Sequence, residues 1–357
     1  MFGEKSNMKE QLSSLTAYEP GLTVDQIKQK YDIPELYKMA SNENLHGPSP
    51  FVKAEISKVL DLLHFYPDSG VPTLKKYLSK HWDIQSDRII VGAGLDEIIL
   101  ILSRAKLTPE TEIITSEMTF RQYKHNAVVE GAIVKEIPLN EGKIDLKGHL
   151  NQISKKTSLI WICNPNNPTG TYLTHWELKH FLEKVPKNIT VVLDEAYAEF
   201  VIAKDFPNFK NLLEAHDNLC LLRTFSKAYG LAGLRIGYAI VPEKYIQPLN
   251  VIRPPFNVSR ISEVAAISAF KDQEYLDNIV KINQQEREKF LNLNIAARIY
   301  PSQTNFIFIK TDKSSELFKS LLFGGVISRE FPNGVRISIG LPHMNDLAVN
   351  LLKDFKF

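Results

Sequence analysis

A lysine set among hydroxyls and small residues is the position in this sequence best suited to covalent chemistry. Lys227 lies in LRTFSKAYGLAGLRIGY (Leu222–Tyr238), close to Thr224 and Ser226 and eight residues before Arg235. With little other charge nearby, its amine can have a depressed pKa and act as a Schiff-base nucleophile. The hydroxyls and the guanidinium suit a phosphate. Most lysines are solvated surface groups, and it is the setting between hydroxyls that moves Lys227 away from that reading. Asp194 ends an apolar run in VVLDEAYAEF (Val191–Phe200), with Tyr197 three residues on. A carboxylate there is costly unless it meets a cation or strong donors. The plainer role for it is a helix N-cap.

Three further segments carry polar chemistry at the ends of apolar runs. In NPNNPTG (Asn164–Gly170), prolines and a glycine constrain the backbone and leave amides such as Asn167 exposed. A plain turn would not need three asparagines as well as both prolines. In VGAGLDEII (Val91–Ile99), Ala93, Gly94 and Leu95 pass from an apolar run straight into a helix. Bare N–H groups and the helix dipole there make a phosphate cradle, although a tight turn alone would look the same. The dinucleotide fingerprint fails, because Glu97 occupies the third glycine position. In GVISREFPNGVRISIG (Gly325–Gly340), Arg336 interrupts an alternating strand pattern and Arg329 precedes it. Arginine binds carboxylate or phosphate bidentately, so an arginine inside a strand suggests an anion site. An outward-facing strand arginine is the alternative.

The elements that must position these residues alternate. Strand-like runs fall at Arg88–Val91, Glu112–Thr115, Ile133–Ile137, Leu159–Cys163, Ile189–Leu193, Leu219–Arg223 and Ile236–Val241. Helical patterns between them include Glu97–Ala105, Arg121–Glu130 and Trp176–Lys184, the last opening with a capping-box signature at Thr174 and Glu177. The pattern predicts an α/β fold, an open and mainly parallel sheet between layers of helix. Such sheets bind ligands beyond the carboxyl ends of their strands, which is where the polar segments fall. Upstream, residues 1–40 read as an arm with a short helix near Val24–Tyr31, and a helix is expected over Phe51–Leu63 with Ile56, Val59, Leu60 and Leu63 on one face. Pro254-Pro255 marks a boundary between a large domain (41–253) and a smaller α+β domain (254–357). The latter opens with one long helical stretch, about Ser262 to Asn294. Strands follow near Asn305–Ile309 and Val335–Ile339, with helices near Ser314–Leu322 and Asn345–Lys353.

Composition narrows the function. A net charge of +2 gives no general attraction to nucleic acid or membrane, so anion selectivity must be local. Two cysteines, Cys163 and Cys220, lie in apolar runs and make no disulfide framework. No run approaches the ~20 apolar residues that span a bilayer, and MFGEKSNMKEQ lacks the apolar core of a signal peptide. A cytoplasmic protein without a metal site is expected.

Taken together, the motifs resemble the fold-type-I pyridoxal-phosphate-dependent aminotransferases, and among them the branch that acts on histidinol phosphate. The resemblance covers nearly the whole length, from LTAYEPG, MASNENLHGPSP, YPDSG and GAGLDE through NPNNPTG, DEAY and SKAYGLAGLRIGY to VRISIG. It implies that Lys227 holds pyridoxal phosphate as a Schiff base and that Asp194 pairs with the pyridine nitrogen. Asn167 and Tyr197 would bond the phenolic oxygen, and Phe120 would stack on the ring. Thr224, Ser226, Arg235 and the backbone of Ala93, Gly94 and Leu95 would hold the phosphate. Tyr66 would reach the cofactor phosphate of a neighbouring subunit in a homodimer. Tyr18, Asn42, Tyr66, Asn167, Arg329 and Arg336 would line the substrate side, with 2-oxoglutarate and glutamate as the second pair. Three departures touch the substrate and phosphate regions: Met118 where many relatives have proline, Leu45-His46 after NEN, and Leu95 where serine or alanine is commoner. An aromatic amino-acid aminotransferase and a threonine-phosphate decarboxylase share these motifs. A cofactor-sensing transcription regulator would need a DNA-binding extension, and none precedes the motifs.

Overall fold

A computed structural model describes residues 8–17 and 35–357. The expected helix near Val24–Tyr31 and the candidate Tyr18 lie outside the described residues. The first strand, β1 (Tyr37–Lys38), is followed by the strands of a seven-stranded sheet: β2 (Ile89–Gly92), β3 (Glu112–Ser116), β4 (Ile133–Ile137), β5 (Thr157–Cys163), β6 (Thr190–Asp194), β7 (Leu219–Thr224) and β8 (Gly237–Ile240). Their order is β2-β8-β7-β6-β5-β3-β4. Only β8 runs against its neighbours, pairing antiparallel with both β2 and β7. The expected mainly parallel sheet is therefore present, each strand within two residues of its expected bounds.

The side chains explain why this sheet has two covered faces. Ile160, Ile162, Val191, Leu193, Leu219 and Leu221 belong to one apolar cluster. Their alternating neighbours Leu159, Trp161, Cys163, Val192, Cys220 and Leu222 belong to another. Successive strand residues point to opposite faces, so both faces must be covered by helices. Helices Leu95–Lys106, Gln122–Val129 and Glu243–Ile252 supply residues to the second cluster or pack against it. Helices Pro72–Trp82, His175–Leu182 and Phe209–Ala215 cover the first. The anticipated capping box is formed: the Thr174 hydroxyl accepts from the Glu177 amide, and the Glu177 carboxylate accepts from the Thr174 amide at 2.8 Å.

A smaller sheet follows, β9 (Arg298–Ile299), β10 (Phe306–Lys310), β12 (Arg329–Phe331) and β13 (Gly334–Ser338), in the order β12-β13-β10-β9 and antiparallel throughout. Helices Gln273–Leu291, Ser314–Phe323 and Pro342–Asp354 close its core. The short β11 (Val326–Ile327) pairs in parallel with β1, so the chain just before the Ser41–Pro50 loop is stitched to this second unit.

Two expectations change. The single long helix over 262–294 is two, Arg260–Lys271 and Gln273–Leu291, broken at Asp272. Asp272 caps the second helix by accepting from the Tyr275 amide at 3.2 Å, and its other oxygen accepts from the Ser49 hydroxyl at 2.5 Å. A short carboxylate competes with the helix for backbone donors, and here it wins. The first of the two helices lies beyond Pro254-Pro255 yet packs on helices Pro50–Ser57 and Pro72–Trp82. The helix expected to reach Leu63 stops at Ser57, and a single 3-10 turn, Leu60–Leu62, succeeds it. Of its expected apolar face, Ile56 packs against the core, but among the described residues Leu60 is left 46% and Leu63 60% exposed.

A charged cluster lies inside the first layer. Arg223 meets the fully buried Glu195 at 2.5 Å and Glu199 at 3.1 Å, while its guanidinium stands 5.2 Å from the Trp82 ring centroid. Burial pushes both carboxyls up, and Arg223 between them opposes the rise.

Candidate active site

The carboxyl ends of β2, β5, β6 and β7 converge with the loop Ser41–Pro50 and with β13, which brings most of the candidate residues to one cleft. Asp194, the last residue of β6, is 3% exposed. One oxygen accepts from the Tyr123 hydroxyl at 2.6 Å and the other from the Ala196 amide at 3.0 Å. Burial raises its carboxyl to about 6, against the pull of those donors.

Lys227 follows β7 by three residues. Its Nζ donates to the Ser41 carbonyl at 3.0 Å and stands 5.9 Å from the Tyr197 ring centroid. Among the described residues it forms no ion pair within 4.0 Å. Burial and, after it, the nearby Arg336 guanidinium lower its amine to about 8. That is the electrostatic setting of a nucleophilic lysine.

Tyr197 is held by amides. Its hydroxyl accepts from Asn42 Nδ2 at 3.0 Å and Asn167 Nδ2 at 3.3 Å, and burial pushes the phenol well up. Asn42 occupies the left-handed region at φ 56°, and its carboxamide oxygen accepts from the Ser338 hydroxyl at 2.9 Å. Asn167 Oδ1 accepts from Arg336 Nη1 at 2.6 Å, and Arg336 also donates to the Ala40 carbonyl. Arg336 is 8% exposed on β13. Arg329 on β12 stands directly opposite it in register, so both arginines project from one face of the small sheet.

At the other side of the cleft the chain makes an anion cradle. Gly94 caps helix Leu95–Lys106 with no side-chain hydrogen bond, at φ 81°. A Cβ on Gly94 would meet Arg235 Nη2 at 2.6 Å, so glycine is what lets the guanidinium lie over the helix start. Arg235 is itself left-handed at φ 48° and pairs with Asp96 at 3.2 Å. The buried Thr224 hydroxyl donates to Ser226 Oγ at 3.0 Å. The Ala93 amide is already used, donating to Glu97 at 2.7 Å, and the Leu95 side chain packs into the core. Only the backbone of Leu95 is left to serve an anion. Phe120 is half-buried with its ring edge-on to Tyr123, centroids 5.6 Å apart.

This donor set fits pyridoxal phosphate. It offers an amine to an aldehyde, a buried carboxylate to a ring nitrogen, and an uncapped helix end with a guanidinium and hydroxyls to a phosphate. Tyr66 stands apart from these contacts: it is 79% exposed, stacked on Phe256 at 4.7 Å. Two partners were not singled out in the sequence. Tyr123 was detectable as the residue one helical turn beyond Phe120. The Ser41 carbonyl carries no side-chain signal at all.

A family model described as aminotransferase class I and II matches residues 34–350. A curated histidinol-phosphate aminotransferase of Staphylococcus saprophyticus is 56% identical over 349 residues, covering 98% of this chain and 99% of the relative. That of Staphylococcus aureus strain bovine RF122 is 55% identical over 351 residues, covering 98% of this chain and 100% of the relative. The crystal structure of histidinol-phosphate aminotransferase from Sinorhizobium meliloti in complex with pyridoxal 5'-phosphate superposes with a TM-score of 0.88 at 25% identity, covering 99% of this chain and 98% of that one.

Proposed function

The chain belongs to the class I and II aminotransferases, and we propose that it transfers the amino group of histidinol phosphate to 2-oxoglutarate, yielding imidazole acetol phosphate and glutamate for histidine biosynthesis. Pyridoxal phosphate is the cofactor. The observation that carries the chemistry is Lys227, whose amine lies in the cleft of the buried Asp194 and is lowered to about 8. The full-length likeness to histidinol-phosphate aminotransferases supports the substrate.

When bound, pyridoxal phosphate supplies an aldehyde that condenses with the substrate amine and a ring that accepts electron density from the substrate's Cα. Lys227 would hold the aldehyde between turnovers. Its amine, when free, would take the proton from the substrate's Cα and give it up again, acting as base and then acid. Asp194 keeps the ring nitrogen protonated by remaining an anion next to it. Tyr197 and Asn167 orient the phenolic oxygen, and Phe120 covers the ring. Thr224, Ser226, Arg235 and the Leu95 amide would take the phosphate, since the Ala93 and Gly94 amides are engaged within the chain. Arg336, with Arg329 opposite and Asn42 beside it, takes the substrate's anion. Histidinol phosphate has a phosphomethyl group where glutamate has its α-carboxylate, so one arginine site serves both half-reactions.

The same reading includes a homodimer in the cytoplasm. Leu60, Leu63, Phe65 and Tyr66 are all exposed, with Phe256 beside Tyr66, a run of apolar surface suited to a second copy. Tyr66 would then complete the partner's phosphate site. Among the described residues no helix is long and apolar enough to cross a membrane.

The test is the absorbance of purified protein mixed with histidinol phosphate alone, then with phenylalanine alone. Rapid conversion of a pyridoxal-type band to a pyridoxamine-type band by histidinol phosphate is expected. Conversion by phenylalanine only would replace the substrate with aromatic amino acids. Release of carbon dioxide from threonine phosphate without a pyridoxamine band would make the protein a lyase.

A further inference from the structure

Asp194 cannot set its own charge. It lies at a strand end between β5 and β7, 3% exposed, with no cation within ion-pair distance among the described residues. Burial of that kind favours the neutral acid. Two groups oppose it: the Ala196 amide at 3.0 Å on one oxygen and the Tyr123 hydroxyl at 2.6 Å on the other. Each oxygen thus accepts one of these bonds and keeps capacity for another.

Tyr123 is built to do this. It is fully buried, and its ring lies flat on Trp161 with centroids 4.7 Å apart and planes 8° from parallel. The Phe120 ring stands edge-on against it. A ring clamped on one face and one edge has little freedom to swing its hydroxyl elsewhere. Burial pushes the phenol well above its ordinary range, with the Asp194 charge adding to the effect, so the group stays a donor. Phe120 and Tyr123 are three residues apart, at the mouth and first turn of helix Gln122–Val129. One helical turn thus presents an aromatic face to the cleft and a proton donor to the carboxylate behind it.

We propose that Tyr123 is the positioning residue for Asp194, its hydroxyl holding the carboxylate ionised and turned toward the cofactor's ring nitrogen. The proposal rests on the pyridoxal-phosphate reading above. Hydrogen bonding to the charged form favours that form, and a donor to a carboxylate is among the stronger hydrogen bonds a protein makes. Removing the hydroxyl while keeping the ring takes away this support and leaves the stack on Trp161.

The experiment measures pyridoxal-phosphate affinity of the apo-protein by fluorescence quenching from pH 5 to 8, for the unmodified protein, for Tyr123→Phe, and for protein carrying 3-fluorotyrosine at position 123. Tyr123→Phe should bind roughly tenfold more weakly at neutral pH. Its acid limb of binding should move to higher pH, because Asp194 then takes a proton more readily. The fluorinated phenol is a stronger donor and should move the limb the other way. A merely structural tyrosine would not produce shifts of opposite sign. If neither variant displaces the limb, the proposal is overturned. Should Tyr123→Phe fail to fold, the fluorotyrosine protein decides alone: a limb that does not move to lower pH overturns the proposal. If the unmodified protein binds no pyridoxal phosphate, the cofactor reading falls and this proposal falls with it.

Discussion

Burial acts in opposite senses on the two charges that face each other across the cleft. It lowers the Lys227 amine to about 8 and raises the Asp194 carboxyl to about 6. Each group is therefore moved toward neutral pH, where a proton can be exchanged. For Lys227 the reactive form is the free amine, which grows as pH rises through the lowered value. The rate at which apo-protein reacts with pyridoxal phosphate should accordingly rise with a midpoint near pH 8 in stopped-flow absorbance, not near the ordinary 10.5. Arg336 is the second cause of that lowering, so Arg336→Met should move the midpoint upward. The same arginine is assigned the substrate anion. Arg336→Ala should slow both half-reactions by about tenfold or more, since a bidentate charge pair is lost; loss confined to one of them would refute the shared site. At this scale the sequence was informative where a residue carries its own signal. Lys227 among hydroxyls, Asp194 at the end of an apolar run and Arg336 inside a strand could all be picked out. The Ser41 carbonyl could not, because any residue has one, and only the chain's return across 186 positions brings it to Lys227.

Elements place these groups through two glycine turns. Gly94→Ala would add a Cβ 2.6 Å from Arg235 Nη2 at a φ of 81°. The guanidinium is flexible and can retreat, so the stability loss should be limited to the strain of a φ 81°, ψ 175° backbone that only glycine adopts readily, about 1–3 kcal/mol. The displaced Arg235 should instead weaken cofactor binding, read as a higher Kd with little change in urea midpoint. Gly230→Ala differs, because its Cβ would lie 2.6 Å from the carbonyl of Gly47, at a φ of 71°. Backbone cannot retreat as a side chain can. A loss of roughly 2–4 kcal/mol in urea unfolding is expected, with displacement of the Ser41–Pro50 loop. The long strands were legible because residues on alternate faces meet two different cores. The two-residue strands β1, β9 and β11 were not, since a period of two needs more residues than they contain. The break at Asp272 was hidden for another reason: helical periodicity continues across it, and the Ser49 hydroxyl that secures it comes from far away in the chain.

For the whole molecule, composition and alternation indicated an α/β sheet, but not its strand order or the reversal of β8. Those depend on which loops are short enough to turn back, and no local pattern records that. The exposed face at Leu60–Tyr66 shows a similar limit. Its apolar spacing was readable as one side of a helix, yet Leu60, Leu63 and Tyr66 stand exposed among the described residues, as the proposed homodimer requires. The proposed homodimer makes a sharp prediction. On the proposed reading, Lys227→Ala would remove the nucleophile of its own site, whereas Tyr66→Ala would remove a group donated to the partner's site. Neither homodimer should have full activity. Refolding the two variants together should create mixed dimers with one intact site, and activity should reappear in the mixture. No recovery, with mixed dimers verified by mass, would show that Tyr66 does not act across the interface.

The Glu195–Arg223–Glu199 cluster has a consequence for descent. Loss of either glutamate leaves the other paired with Arg223, but replacing Arg223 leaves two buried carboxylates without a counter-charge, at about 3–5 kcal/mol. That is a large share of the roughly 5–15 kcal/mol by which a typical domain is stable. Replacing the whole cluster with apolar residues would be far milder, but no lineage reaches that state in one step. Loss of Arg223 is therefore conditional on the glutamates having changed first. In any collection of descendants of this gene the arginine should persist wherever both glutamates do.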